Sequence, residues 1–322
     1  MAGIKKEFKR TSKKSISKVK LGFILALSAA FIYSLNTPLF KLFSENVSSG
    51  ILAAVAYSGA TIGLFIFLNI RNALTRRTKI KDLTNEISKV EARREWIYII
   101  YIIALDAAAS LLVLESLKTL NASTTSMLQV LETVATAIVA AIFLHETMSI
   151  KMVIAIVAAT AASVLVSIDT TNGFQLASGA ILVVLAALCW GIENCLQRKV
   201  ERMDPPKFVM IKCAAVGVIS LIIAFLTEVP EIDLHSALMI LIIGMVAYGA
   251  GILLFFLGVK YYGAAKASTI FALNPIMGAV YSLFILGEEP NIFLLFGILL
   301  IILSIYLTAS DHRTDTLGDQ IT

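Results

Sequence analysis

Ten stretches of about 20 predominantly apolar residues, each long enough to cross the hydrocarbon core of a bilayer as a helix, run almost end to end through this chain. They lie at 21–42, 50–70, 96–115, 122–144, 149–168, 176–197, 207–227, 236–258, 265–286 and 291–309. Hydrocarbon offers no partner to a backbone N–H or C=O, so continuous apolar runs of this length cross as α-helices that bond their own backbone. Of the 322 residues, 58% are hydrophobic and 15% charged, against roughly 25% charged in an average soluble domain. The expectation is an all-α polytopic membrane protein embedded in a lipid bilayer, and a soluble enzyme or a nucleic-acid binder is excluded. What lies outside the runs is a basic tail at 1–20, one long loop at 71–95, short turns and a polar tail at 310–322, too little for a second, soluble domain. The first run is too long for a secretory h-region and carries Asn36-Thr37-Pro38 without a clear small-residue cleavage site, so it reads as an uncleaved span.

The charges decide the orientation. Net charge is +5, and basic residues are retained on the cytoplasmic side of a membrane. With the N-terminus inside, 25 of the 27 lysines and arginines fall in inner segments, among them Arg198, Lys199, Arg202, Lys207 and Lys212; Lys41 and Lys118 alone fall outside. Ten spans return the C-terminus to the cytoplasm as well, and the expected location is the inner or plasma membrane. The three cysteines, Cys189, Cys195 and Cys213, lie in or beside apolar runs without metal-ligand spacing and read as free thiols.

The second half repeats the first. Lys118–Glu146 aligned on Lys260–Glu288 gives 7 identical positions in 29, including Ser126/Ser268, Leu131/Leu273 and Glu146/Glu288. A second correspondence pairs Tyr33-Ser34-Leu35-Asn36-Thr37 with Trp190-Gly191-Ile192-Glu193-Asn194, each near the start of a five-span half. The first repeat therefore covers 21–168 and the second 176–309. Five is odd, so the two halves cross the membrane with opposite topology, the inverted-repeat architecture that transporters use to build a site near the midplane.

Three stretches resemble a known family, the EamA-type members of the drug/metabolite transporter superfamily. They are Ala187–Asn194 followed by Arg198-Lys199 and Asp204-Pro205; Leu131-Glu132 with Leu144-His145-Glu146; and Ala264–Ser268 with Asn274-Pro275 and Leu286-Gly287-Glu288. The resemblance runs from about Gly22 to Thr308. It implies a carrier that works by alternating access, with a central cavity lined by the first, third, fourth, sixth, eighth and ninth spans. It is silent on the cargo. Where the ninth span has Asn274-Pro275, the fourth has Glu132-Thr133, so the two corresponding helices differ chemically.

Ionisable groups inside spans are costly and usually functional. Glu132 lies nine residues into its run, about 14 Å deep at 1.5 Å per residue. A carboxyl desolvated there favours its neutral form, which suits proton coupling or a ligand for a cationic group, with a structural hydrogen bond as the alternative. Asp106, at a similar depth, is followed by Ala107, Ala108, Ala109 and Ser110, small residues that fit close helix approach equally well. Glu193 and Asn194 belong to the inner half and their counterparts Asn36 and Thr37 to the outer half, a pair of polar gates; an ion pair between Glu193 and Lys212 is the competing reading for the acid. Asn36 and Thr37 precede Pro38, which removes a backbone bond; carbonyls freed in this way are common components of transporter sites, and a simple kink is the alternative. Trp190 and Tyr248 are expected to line the cavity or to pack between helices. Lys266, with Lys260 nearby, is either an anion ligand or a lysine that snorkels to the interface. Glu115 and Lys118, three residues apart, read as a surface pair.

No phosphate-binding loop of the Gly-rich, Lys-Ser/Thr type is present, and His145, His235 and His312 are too scattered in sequence to share a helix face. No cofactor or metal is expected. These features describe a gradient-driven or passive carrier for a small polar metabolite, an amino acid or a zwitterionic or cationic compound, working as a monomer or homodimer with the proton as one coupling option through Glu132. The rivals are a phosphate-ester or nucleotide-sugar exchanger built on Lys266, and, from other classes, an intramembrane enzyme or a channel.

Overall fold

In a computed structural model the described residues are 19–75, 89–143, 145, 148–169, 175–176, 179–197, 199–200, 204–227, 231–290 and 292–310. Most of the basic tail, the centre of the long loop, Glu146 and the C-terminal tail lie outside them. The helices in chain order are α1 (Val19–Lys41), α2 (Ser49–Thr75), α3 (Lys89–Ser116), α4 (Ala122–Phe143), α5 (Ile150–Val166), α6 (Ala180–Gln197), α7 (Pro205–Thr227), α8 (Leu234–Tyr262), α9 (Lys266–Ile285) and α10 (Ile292–Ala309). Among the described residues, nine of these are long and apolar enough to cross a membrane. The exception is α5, whose 17 residues reach about 26 Å at 1.5 Å per residue, short of a hydrocarbon core of roughly 30 Å. The expected run at 149–168 loses its last residues because Ile168–Asp169 (β1) leaves the helix to pair antiparallel with Gln175–Leu176 (β2).

Contacts at the helix ends fall into two groups, as an up-and-down path requires. At one face Lys41 Nζ donates to the Leu117 carbonyl, Ser49 Oγ donates to Glu115, and Glu288 accepts the backbone N–H groups of Ala122 and Ser123. At the other, Arg71 holds Asp204 through two nitrogens at 2.8 and 3.1 Å, and Lys151 donates to the Ser310 carbonyl. Side-chain caps at helix starts include Ser149, which accepts from Met152 N, and Asp233, which accepts from Ser236 N; hydrogen bonding by the Ser236 side chain and backbone holds the Asp233 carboxyl below its usual range.

The packing is inverted relative to a soluble protein. Large apolar side chains such as Phe65, Ile100, Leu226 and Phe284 project outward, whereas the buried set is rich in alanine and serine, with Ala26, Ala29, Ala30, Ala53, Ala56 and Ala60 among its members. Lipid is as apolar as leucine, so helices gain more by close backbone approach through small residues than by burying large ones against each other. α2 packs on α7 and α8, α6 on α3 and α4, and α5 on α10. The α2–α8 crossing is the closest fit: a Cβ added to Gly59 would sit 2.1 Å from the Leu241 carbonyl oxygen, and one added to Gly244 would sit 2.0 Å from that of Ala56.

Three helices are broken near mid-length. α1 is interrupted at Ser34–Leu35, α4 at Gln129–Val130 and α9 at Ala272–Leu273. Each break is a tight turn with an i→i−3 bond, from Leu35 N to Ile32 O, Val130 N to Met127 O and Leu273 N to Ile270 O. Pro38 and Pro275 account for two of them; the break in α4 has no proline. α8 carries a fourth irregularity, a π-helical stretch at Gly244–Ala250. His145 and Gly287, equivalent in the repeat alignment, both take left-handed backbone angles, φ 54° and 67°. A histidine has to bear there the strain that glycine avoids.

Gly244→Ala is expected to lower the melting temperature of the detergent-solubilised protein, because its new methyl group meets backbone rather than a movable side chain, at a cost of about 1–3 kcal/mol. Gly217→Ala, whose Cβ would find ordinary contacts at 3.4 Å or more, should leave it unchanged or raised.

Candidate functional site

Lys212 is the eighth residue of α7, and an ammonium at that depth has to find carboxylates or leave the membrane. It finds two. Its Nζ lies 2.9 Å from Asp106 Oδ2 on α3 and 2.8 Å from Glu193 Oε1 on α6. All three residues are buried, with 8%, 0% and 2% of their surface exposed. The expectation that counted Lys212 among inner-loop bases is therefore corrected: α7 starts at Pro205, so the residue is two turns inside a helix and carries no topological charge. Glu193 does form the ion pair with Lys212, and Asp106 joins it.

The surroundings complete the cluster. Asp106 Oδ1 accepts from Tyr57 OH at 2.9 Å and from Trp190 Nε1 at 3.0 Å, and Gln197 Nε2, one helical turn below Glu193, donates to Glu193 Oε1 at 2.6 Å. Tyr57 OH also lies 2.8 Å from Tyr248 OH, whose position in the π stretch places it across from α2. One polar network thus joins α2, α3, α6, α7 and α8. Isolated charges in this setting carry a desolvation penalty of several kcal/mol each, offset only by partners in good geometry.

Glu132, half-buried on α4, sits just beyond the break. Its Oε1 accepts from Asn194 Nδ2 at 2.8 Å, and the same amide donates to Thr136 Oγ1 at 3.2 Å. Asn194 follows Trp190 by one turn, so α6 presents an indole to Asp106 and an amide to Glu132 from one face. Aromatic rings continue from here: Tyr33 packs on Tyr248 with centroids 5.4 Å apart and on Phe271 at 5.2 Å, and Phe271 packs on Phe255 at 4.6 Å. The half-buried Tyr33 is within electrostatic reach of both Glu132 and Asp106.

The other expected residues divide. Asn36 is buried and neither its Oδ1 nor its Nδ2 has a hydrogen-bond partner among the described residues, and Thr37 Oγ1 accepts from Gln129 Nε2 at 3.1 Å, tying the break in α1 to the break in α4. Asn274 is half-buried directly after the break in α9. Lys266 is not drawn into the centre: it is exposed at the start of α9, its Nζ 5.9 Å from the Tyr262 ring. Glu115 and Lys118 form the expected pair at 2.8 Å. Lys212, Tyr57 and Gln197 belong to the network, Gln129 bridges two of the breaks, and none of the four is among the expected site residues. For Lys212 the signal was present, a lone base with apolar neighbours on both sides in Phe208–Ala215.

The profile of the EamA-like transporter family matches residues 20–168 and again 177–310. The chain belongs to this family. Its relatives include the uncharacterized transporter YyaM of Bacillus subtilis, 30% identical over 54% of this chain and 60% of its own length. An uncharacterized transporter of Methanothermobacter thermautotrophicus is 24% identical over 84% of this chain and 81% of its own length. A solved crystal structure with 16% identity shares the fold, with a TM-score of 0.62 over 90% of this chain and 96% of that one. The chain is a multi-pass membrane protein of a transporter family.

Lys212→Met should strip the buried carboxylates of their counter-charge and cost about 3–5 kcal/mol, read as lost folded yield or a lower melting temperature. Adding Asp106→Asn and Glu193→Gln removes the unpaired charges and should recover most of the loss; a triple variant no more stable than Lys212→Met would show that the charges do not set the stability.

Proposed function

We propose that this protein carries a small metabolite bearing an ammonium group, a cation or zwitterion, across the cell membrane by alternating access between two inverted five-helix repeats with both termini in the cytoplasm. The observation that carries the substrate reading is the half-buried Glu132 beside the aromatic row of Tyr33, Tyr248 and Phe271. Carboxylate and aromatic faces are the two groups that recognise an ammonium. The charge count supports the same sign of cargo: Asp106, Glu132 and Glu193 stand against Lys212, the single in-span base of the network. In this reading Glu132 takes the ammonium, Asn194 orients the carboxylate, and the unpartnered amide of Asn36 meets a polar group at the far end of the cargo.

The inverted topology draws support from the two matched stretches of the family profile, from the left-handed backbone shared by His145 and Gly287, and from the two groups of helix-end contacts. Breaks in α1, α4 and α9 supply the joints that a carrier needs, since backbone irregularity at membrane depth belongs beside a cavity. The anion-exchanger reading is weakened by the exposed position of Lys266, and a gradient or passive exchange remains the source of drive.

A thermal-shift screen of purified protein against choline, putrescine, lysine and neutral amino acids should give a stabilising amine, because a ligand of the native state raises apparent stability. In proteoliposomes Glu132→Gln should weaken binding of that amine roughly 10- to 150-fold, the equivalent of about 1.5–3 kcal/mol for a hydrogen bond to a charged group. Lys266→Ala should leave it unchanged. Full affinity in Glu132→Gln, or loss in Lys266→Ala together with stabilisation by phosphate esters, would replace this reading with the anion exchanger.

A further inference from the structure

We propose that the Asp106–Lys212–Glu193 cluster is a proton-binding site separate from the cargo site, and that its proton resides on Glu193 Oε2. The inference rests on the carrier reading above for its role in coupling, though not for the existence of the site. Two carboxyls and one ammonium, all ionised, leave an excess of one negative charge in the interior of a membrane protein. Burying an uncompensated charge costs far more than burying a neutral carboxyl, and two carboxylates that share a site do not both stay ionised as readily as one.

The geometry says which carboxyl yields. Asp106 has a group at each oxygen: the Tyr57 hydroxyl and Trp190 indole donate to Oδ1, and the Lys212 ammonium lies 2.9 Å from Oδ2 as an ion pair, although Oδ2 has no hydrogen-bond donor among the described residues. Glu193 is supplied on one side only: Lys212 and Gln197 both donate to Oε1, while Oε2 is buried with no partner among the described residues. A bare carboxylate oxygen there is the most expensive group in the cluster, and protonation removes its charge. The groups facing Glu193 leave the proton no better seat. α7 brings Lys212 and the following Cys213, α3 brings Asp106, and α6 itself brings Gln197 one turn below and Cys189 one turn above. α4 brings Glu132, which is already paired with Asn194 on the neighbouring position of α6.

Depth in the sequence singles out Glu132 as the coupling acid; the hydrogen bonds assign that part to Glu193 and leave Glu132 for the cargo. The step is a proton transfer alone. When the cavity opens to one side, the Glu193 O–H gives its proton to water and the cluster becomes negative, which favours entry of a cationic group beside it. When the cargo leaves on the other side, Glu193 takes a proton back and the cluster is neutral again. The product is exchange of a proton for a cation.

Infrared difference spectra of the full-length purified protein, taken across neutral pH without any cargo, read this directly. Wild type and Glu132→Gln should both show the carbonyl stretch of a protonated, buried carboxyl, and Glu193→Gln, which copies the shape of the protonated acid, should lack it. Carboxyl-labelled glutamate should shift the band and labelled aspartate should not, a measurement that needs no variant to fold. In proteoliposomes loaded with the amine found by the screen, Glu193→Gln should transport without the pH dependence of wild type. A band that survives in Glu193→Gln, follows the aspartate label or is missing from wild type overturns the proposal, as does wild-type pH dependence in Glu193→Gln. If the band behaves as expected but wild type moves no amine, the carrier reading fails and the proton site stands.

Discussion

A buried lysine held between two carboxyls inside the helix bundle is the contact on which the arrangement of this protein turns. Lys212 on α7 reaches Asp106 on α3 and Glu193 on α6, and the buried ammonium depends on these carboxyl partners. Asp106 then fixes Tyr57 and Trp190 by hydrogen bonds, and Tyr57 fixes Tyr248. Five helices are thereby held at one depth by directional bonds, where the apolar packing around them is non-directional. Removing Lys212 leaves carboxylate charge that lipid cannot accommodate.

The charged side of the interior is opposed by a side made of broken helices. α1, α4 and α9 each turn tightly near mid-length, and Gln129 bonds Thr37 across two of the breaks. Gly278 on α9 lies so close to Ser126 and to the Ser34 carbonyl that a Cβ there would come within 2.7 and 3.3 Å of them. The two sides meet at Glu132, Asn194 and Tyr33. On the proposed function, a cargo at that junction would touch both a hydrogen-bonded wall and a wall with interrupted backbone, the combination a carrier needs if one side is to move against the other.

Much of this was legible in the sequence because the bilayer imposes few choices. Twenty apolar residues have one fate, so the runs match the helices to within a few residues, and Pro38 beside Asn36 and Thr37 marked the break in α1, whereas Asn274-Pro275 stood out only as a difference from the fourth span. Asp106, Glu132 and Glu193 stood out because charge is rare inside spans. What stayed hidden depends on side-chain reach and backbone register. Lys212 lies near a basic inner loop and reads as part of it until the start of α7 is known. The break at Gln129–Val130 has no proline, and the π stretch of α8 lies in an unbroken apolar run, so neither leaves a mark in composition. The shortness of α5 follows from a two-residue strand pairing that hydropathy does not register.

Glu288 ties the order of synthesis to the shape of one end of the helix bundle. Its carboxylate accepts the N–H groups of Ala122 and Ser123, 166 and 165 residues earlier in the chain, and the left-handed Gly287 before it turns the loop in that direction. At ribosomal rates of roughly 5–20 residues per second, α4 waits about 8–33 s after emerging before the group that completes its first turn exists. Until then those two donors have only water or lipid headgroups for partners. The first five helices therefore cannot reach their final form alone, and the last loop to be made is the one that seals the first half.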